Sequence, residues 1–107
     1  MTGKDLPLTE AFFYILLALR HPNHGYGITQ EVQQLTGGRV ALGAGTLYGA
    51  IQTLLERGWI AVWSEDSESR KKKEYLITPL GRAVFEEETH RLKELVSHSE
   101  LMEENEQ

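Results

Sequence analysis

Gly45-Thr46-Leu47-Tyr48-Gly49-Ala50-Ile51-Gln52-Thr53-Leu54-Leu55-Glu56-Arg57-Gly58, once wound as a helix, has two faces of opposite character. Leu47, Ile51, Leu54 and Leu55 follow one another at spacings of four, three and one, which places them on a single apolar stripe. The opposite face carries Thr46, Tyr48, Gly49, Gln52 and Thr53, all small or hydrogen-bonding and none a bulky aliphatic. A helix that enters a DNA major groove needs this division, an anchored back and a front that can lie beside base edges. A merely solvated face is the plainer alternative, but such faces are usually richer in Lys and Glu. The helix is predicted from about Thr46 to Arg57, with Gly58 as its C-terminal stop.

Downstream, Trp59 to Trp63 and Glu74 to Ile77 read as two strands of a hairpin. Between them Ser64 to Lys73 is polar throughout and ends in Arg70-Lys71-Lys72-Lys73, the densest positive charge in the chain. A basic hairpin tip can reach phosphate oxygens and add affinity without sequence information; simple solubility is its other reading. Strand alternation sets Ile60 and Val62 toward the core and turns Trp59 and Trp63 to the other face. Thr78 and Pro79 then open a last helix, as cap and first-turn residue, that runs from Leu80 to about Leu101 and frays over 102–107. Its apolar residues Leu80, Val84, Phe85, Leu92, Leu95 and Val96 trace a stripe that a small domain leaves uncovered.

Upstream, Gly43-Ala44-Gly45 makes a turn and Arg39 to Leu42 a short extended piece able to pair as a minor strand. Ile28, Val32 and Leu35 mark a helix over Thr29 to Thr36 that stops at Gly37-Gly38. Thr9 caps a first helix, Ala11 to Leu19, which is apolar on nearly every side. One face of it must find cover inside the domain and the other against a partner.

At 107 residues, 40% hydrophobic and 25% charged, there is room for one domain. The net charge of −5 speaks against nucleic acid only until it is located. Residues 86–107 hold eight Glu against Arg91 and Lys93, whereas residues 1–85 hold nine Lys or Arg against eight acids. Binding to phosphates follows local potential rather than the total. Cysteine is absent, which excludes disulfides and thiolate metal sites. No secretory leader is read at the N-terminus, and the Ala11–Leu19 run is too short for a membrane span, so a cytoplasmic, non-membrane protein is expected. His21 and His24 flank a turn and His90 and His98 lie more than two helical turns apart, so no metal site is assigned. No nucleophile-and-base set or phosphate-cradling glycine motif is present; neither an enzyme nor a cofactor is expected.

Three pieces of the chain, in this order and spacing, resemble the PadR-like winged-helix regulators. They are Leu16 to Leu19 followed by His24-Gly25-Tyr26; Gly45 to Tyr48 with Leu54 to Ile60; and Tyr75-Leu76-Ile77-Thr78-Pro79-Leu80-Gly81. The resemblance covers about residues 8–85. It implies a homodimer in which the C-terminal helix packs on the first helix of the other subunit, with Tyr48 and its neighbours facing DNA and the loop around Arg70 as the wing. Gly49 and Gly27 depart from the family pattern, in which proline and a larger or charged residue are common at those places. With one C-terminal helix, the chain resembles the small subfamily. Some relatives hold flat aromatic ligands between aromatic residues, which makes Trp59 and Trp63 candidates for a small aromatic effector; packing against the wing or a neighbouring helix is the simpler reading.

The expected fold is thus mainly α, a winged helix-turn-helix of three helices plus a β-hairpin wing, over 1–79, with a dimerisation helix over 80–101 and an acidic tail over 102–107. The expected partners are double-stranded DNA and a second copy of the chain, met through Phe12, Phe13, Leu16, Leu92, Leu95 and Val96. Expected function is repression from a palindromic operator, with Thr46, Tyr48, Gly49, Gln52, Thr53, Arg70, Lys71, Lys72 and Lys73 on the DNA. A winged-helix module that binds proteins instead is the alternative.

Overall fold

Thr9 accepts the Phe12 amide on its hydroxyl and so starts α1, Glu10–Ala18, in a computed structural model that describes residues 5–65 and 73–105. The other elements are β1 (Asn23–His24), α2 (Gly25–Leu35), α3 (Ala44–Glu56), β2 (Ile60–Ser64), β3 (Glu74–Ile77), α4 (Pro79–Ser99) and α5 (Leu101–Asn105). Ile15, Leu16 and Ala18 of α1, and Leu19 directly after it, are fully buried, and α2, α3 and α4 all pack on this helix. Ile28 and Val32 from α2, Leu47, Ile51 and Leu54 from α3, and Val84 from α4 close the core. The three strands form one antiparallel sheet in the order β1-β3-β2. This is a mainly helical winged-helix fold with a long C-terminal helix.

Several details differ from the sequence reading. The third strand of the sheet is not Arg39 to Leu42, which takes no regular structure, but Asn23–His24, paired with Tyr75 and Glu74. The second helix begins at Gly25 rather than Thr29, because the His24 ring caps it. Leu16, expected at a subunit contact, is fully buried in its own protomer and so unavailable to a partner. The last helix stops at Ser99 rather than near Leu101, and Leu101–Asn105 forms a separate short helix.

The two tryptophans also part company. Trp59 precedes β2 and is buried in the core, with the Arg57 guanidinium 4.9 Å above its ring, so it offers no face to a ligand. Between Val62 and Ser64 the register of β2 against β3 shifts, a bulge that breaks the alternation and leaves both Val62 and Trp63 exposed.

The far stripe of α4 divides in two. Its first half folds onto its own domain, where Val84 is buried and the Phe85 ring stacks on Phe13 at 4.7 Å. Glu88 is there too, a carboxylate almost without solvent contact. It accepts from Arg91 at 2.6 Å and from the Leu8 amide at 2.9 Å, and so ties the segment before α1 to α4. The guanidinium holds its carboxyl below the usual carboxylate range with help from the Leu8 amide, and burial works against both. Leu92, Leu95 and Val96, beyond this point, are exposed, as is Leu80 on the other side.

Two outcomes follow for stability. A methyl group at Gly81 would run into the Trp59 carbonyl, which is backbone and cannot swing aside. Gly81→Ala should cost about 1–3 kcal/mol in urea unfolding, and an unchanged midpoint would contradict the packing. Because the Glu88 pKa is depressed in the fold, its contribution is complete above the ordinary Glu range and fades as pH falls through that range. Glu88→Gln should therefore cost about 1–3 kcal/mol at pH 7 and progressively less below about pH 4.

Candidate nucleic-acid interface

The back of α3 is held by Leu47, Ala50, Ile51 and Leu54, all buried, while Leu55 is half-buried at its edge. On the other side Thr46, Tyr48, Gly49 and Gln52 are exposed. Thr53 is half-buried and its hydroxyl donates to the Gly49 carbonyl at 3.2 Å, leaving its lone pairs on the outside of that bond. The exposed face carries no charge until Glu56 and Arg57 at its end. Nothing lies near the Cα of Gly45 or Gly49, so the front of the helix is open to close approach by a large partner.

α3 ends where Gly58, at φ +75°, adopts the left-handed turn that a side chain resists. The amides of Gly58 and Trp59 return to the carbonyls of Leu55 and Leu54, which aims the chain straight into β2. The hairpin that follows is closed at its far end by Ser64, whose hydroxyl donates to Glu74 at 2.8 Å. Lys73 stands at the foot of β3; Arg70, Lys71 and Lys72 lie outside the described residues. Lys73 and Tyr75 from this hairpin and Tyr48, Ile51, Gln52, Leu55 and Glu56 from α3 line a cleft of about 340 Å³. Helix and wing are thus two walls of one surface. Burial pushes the Tyr75 phenol up, with smaller contributions from Tyr48 and Glu65, so it keeps its proton and can only lend it to a hydrogen bond.

Tyr48 does more than face outward. Its hydroxyl occupies the space that a Cβ on Gly25 would take, so the ring of the third helix rests on the first residue of the second. Helical spacing puts Tyr48 on the outer face but does not show Gly25 as its seat, for which His24-Gly25-Tyr26 is the available signal. Two arginines nearby are paired, Arg20 with Glu31 at 2.6 Å and Arg39 with Glu10 at 2.8 Å. Among the described residues no group of histidines and acids is arranged to hold a metal, and no helix is long and apolar enough to cross a membrane.

The Tyr48–Gly25 contact can be measured. Gly25→Ala should cost about 1–3 kcal/mol in the wild-type background and clearly less in a Tyr48→Ala background, because the Tyr48 hydroxyl and the Cζ that carries it are the obstructing atoms. Additive costs in urea unfolding would show that the two residues do not touch.

A family model described as the transcriptional regulator PadR-like family matches residues 15–87. An uncharacterized 37.1 kDa protein in transposon TN4556 of Streptomyces fradiae is 34% identical over 87 residues, 80% of this chain. The chain spans only 24% of that curated relative. The padr family transcriptional regulator of Eggerthella lenta DSM 2243 shares the fold with a TM-score of 0.73 at 23% identity, over 85% of this chain and 79% of that one. Bordetella bronchiseptica BpsR, whose DNA binding is regulated by 6-hydroxynicotinic acid, matches with a TM-score of 0.65 at 29% identity, over 91% of this chain and 64% of its own.

Proposed function

The chain belongs to the PadR-like family of transcriptional regulators, and on that premise we propose that it is a repressor that sits as a homodimer on a palindromic operator. The family consists of DNA-binding regulators rather than enzymes. The observation that carries the reading is the exposed face of α3, uncharged, small and hydrogen-bonding, on a back fixed in the core. Gln52, Thr46 and Thr53 would reach base edges, with Gly49 and Tyr48 lying against the groove. Lys73 and the Arg70–Lys72 run before it would hold phosphates.

Dimerisation is supported by what one protomer leaves open. Leu92, Leu95, Val96, Leu101 and Met102 are exposed along the outer half of α4 and α5, while Phe12 and Phe13 are only half-buried. The Thr89 hydroxyl is buried without a hydrogen-bond partner among the described residues. It lines a cleft of about 360 Å³ with Phe85, Glu86, His90 and Lys93, where a side chain of a second copy has room. Two copies related by a two-fold axis would favour an inverted repeat with half-sites about one helical turn apart. A small aromatic effector, by analogy with BpsR, is part of the same proposal, with exposed Trp63 as the tryptophan left to meet it. The site of action would be the cytoplasm.

Binding to a duplex from upstream of the chain's own coding sequence, followed by fluorescence anisotropy, tests the division of labour. Gln52→Ala should cost about 1–3 kcal/mol on that duplex and relax discrimination against random DNA. Lys71→Ala and Lys72→Ala should weaken both duplexes alike and each flatten the salt dependence by about one unit of slope. Unchanged salt slope and random-DNA affinity in the double lysine variant would leave the loop a solubility feature and favour a protein partner. For the dimer, light scattering should give twice the chain mass for the wild type, and Leu95→Glu should lower it; a stable wild-type monomer at micromolar concentration would contradict the interface.

A further inference from the structure

His24 stands where three parts of the DNA-binding unit meet. Its backbone pairs with Glu74, the first residue of β3, its amide donates to Asn23 Oδ1 at 3.0 Å, and its ring opens α2. The capping contact runs from the Gly27 amide to Nδ1 at 3.1 Å. An imidazole nitrogen accepts a hydrogen bond only when it carries no proton, so this contact requires a bare Nδ1. Gly27 belongs to the same device. A Cβ there would collide with Asn23 Oδ1 and come within 3.4 Å of His24 Cε1, so glycine is what lets the ring and the carboxamide close over the helix start. The adjoining residue, Gly25, is the seat of Tyr48, which connects the cap to the exposed face of α3.

We infer that His24 is a positioning residue for DNA binding, that it fixes the start of α2 and through it Tyr48, and that it does so only while its ring is unprotonated. The inference rests on the DNA-binding reading above. A proton on Nδ1 would turn the acceptor into a second donor facing the Gly27 amide, and would set a positive charge on the positive end of a helix of 11 residues. Among the described residues, the ionisable groups that neighbouring elements bring to this region are Glu74 and Tyr75 from β3, the Tyr48 phenol from α3, and His21 with Glu31 and Arg20 beyond the turn. Glu74 already accepts from Ser64. His21 lies 3.2 Å from Glu31, so a proton there strengthens an ion pair and acts in the opposite sense. Added positive charge ordinarily favours DNA. A fall in affinity on acidification would thus run against the general trend and mark the cap.

The test compares wild type with His24→Asn, since asparagine caps helices well and does not titrate in this range. Affinity for the upstream duplex is measured from pH 7.5 to pH 5.5, with the His21 contribution common to both proteins. Wild type should lose about fivefold relative to the variant, the equivalent of a cap worth about 1 kcal/mol. Binding at pH 7.5 with parallel pH profiles in the two proteins overturns the role of His24. Failure of both to bind DNA at pH 7.5 would instead overturn the DNA reading beneath it. Nitrogen NMR of the wild type needs no variant. The His24 ring should be the Nε2–H tautomer at pH 7.5, and the Gly27 amide should shift as that ring titrates; an indifferent Gly27 amide rules the cap out.

Discussion

The Trp59 carbonyl accepts the Thr78 amide at 2.9 Å and lies against the bare Cα of Gly81, and both the wing and the last helix hang from that contact. Thr78 binds twice more at the same place, giving its hydroxyl proton to the Gly58 carbonyl at 2.7 Å and accepting the Gly81 amide at 3.0 Å. One residue therefore caps α4, closes the base of the hairpin and joins it to the end of α3. A side chain at position 81 would push α4 off this junction, and the hairpin would lose the point from which it projects beside α3. The neighbouring bond from the Ile77 amide to the Leu19 carbonyl ties the same corner to the central helix.

From that corner the molecule sends out two surfaces of different kinds. Toward the wing it presents α3, whose exposed groups can exchange hydrogen bonds but bring almost no charge. Charge is left to the loop, in Arg70 to Lys73, and the acids are concentrated in residues 86–107 at the far end. A net charge of −5 is compatible with a nucleic-acid partner, because the basic run and most of the acidic excess lie in different segments of the sequence. Toward the tail it presents a helix that spends Val84, Phe85 and Glu88 on its own domain and leaves Leu92, Leu95 and Val96 bare.

The order of the helices and of the hairpin was legible because each of these has a strong local sign. Thr9 and Thr78 cap their helices, Gly58 ends one, and Leu47, Ile51 and Leu54 repeat at helical spacing. What stayed hidden depends on partners distant in sequence. A two-residue strand at Asn23–His24 has no pattern of its own and exists because β3 offers an edge. The burial of Trp59 follows from the strand starting one residue later, and the exposure of Trp63 from a bulge, neither of which alternation foretells. Glu88 reads as one of three acids in a row; only Arg91 and the Leu8 amide distinguish it. Of the candidate interface, the outer face of α3 was visible from spacing, but its dependence on Gly25 and the His24 cap was not, since both contacts cross between helices or between a ring and a backbone amide.

The proposed repressor would set two α3 helices, one from each subunit, into successive major grooves. Dimethyl sulfate protection of guanine N7, the major-groove atom, on the DNA upstream of the chain's own coding sequence tests it most directly. The account predicts two protected patches related by a two-fold axis and about one helical turn apart. Protection that is absent from the major groove while the protein is demonstrably bound, or a single patch without symmetry, would contradict it.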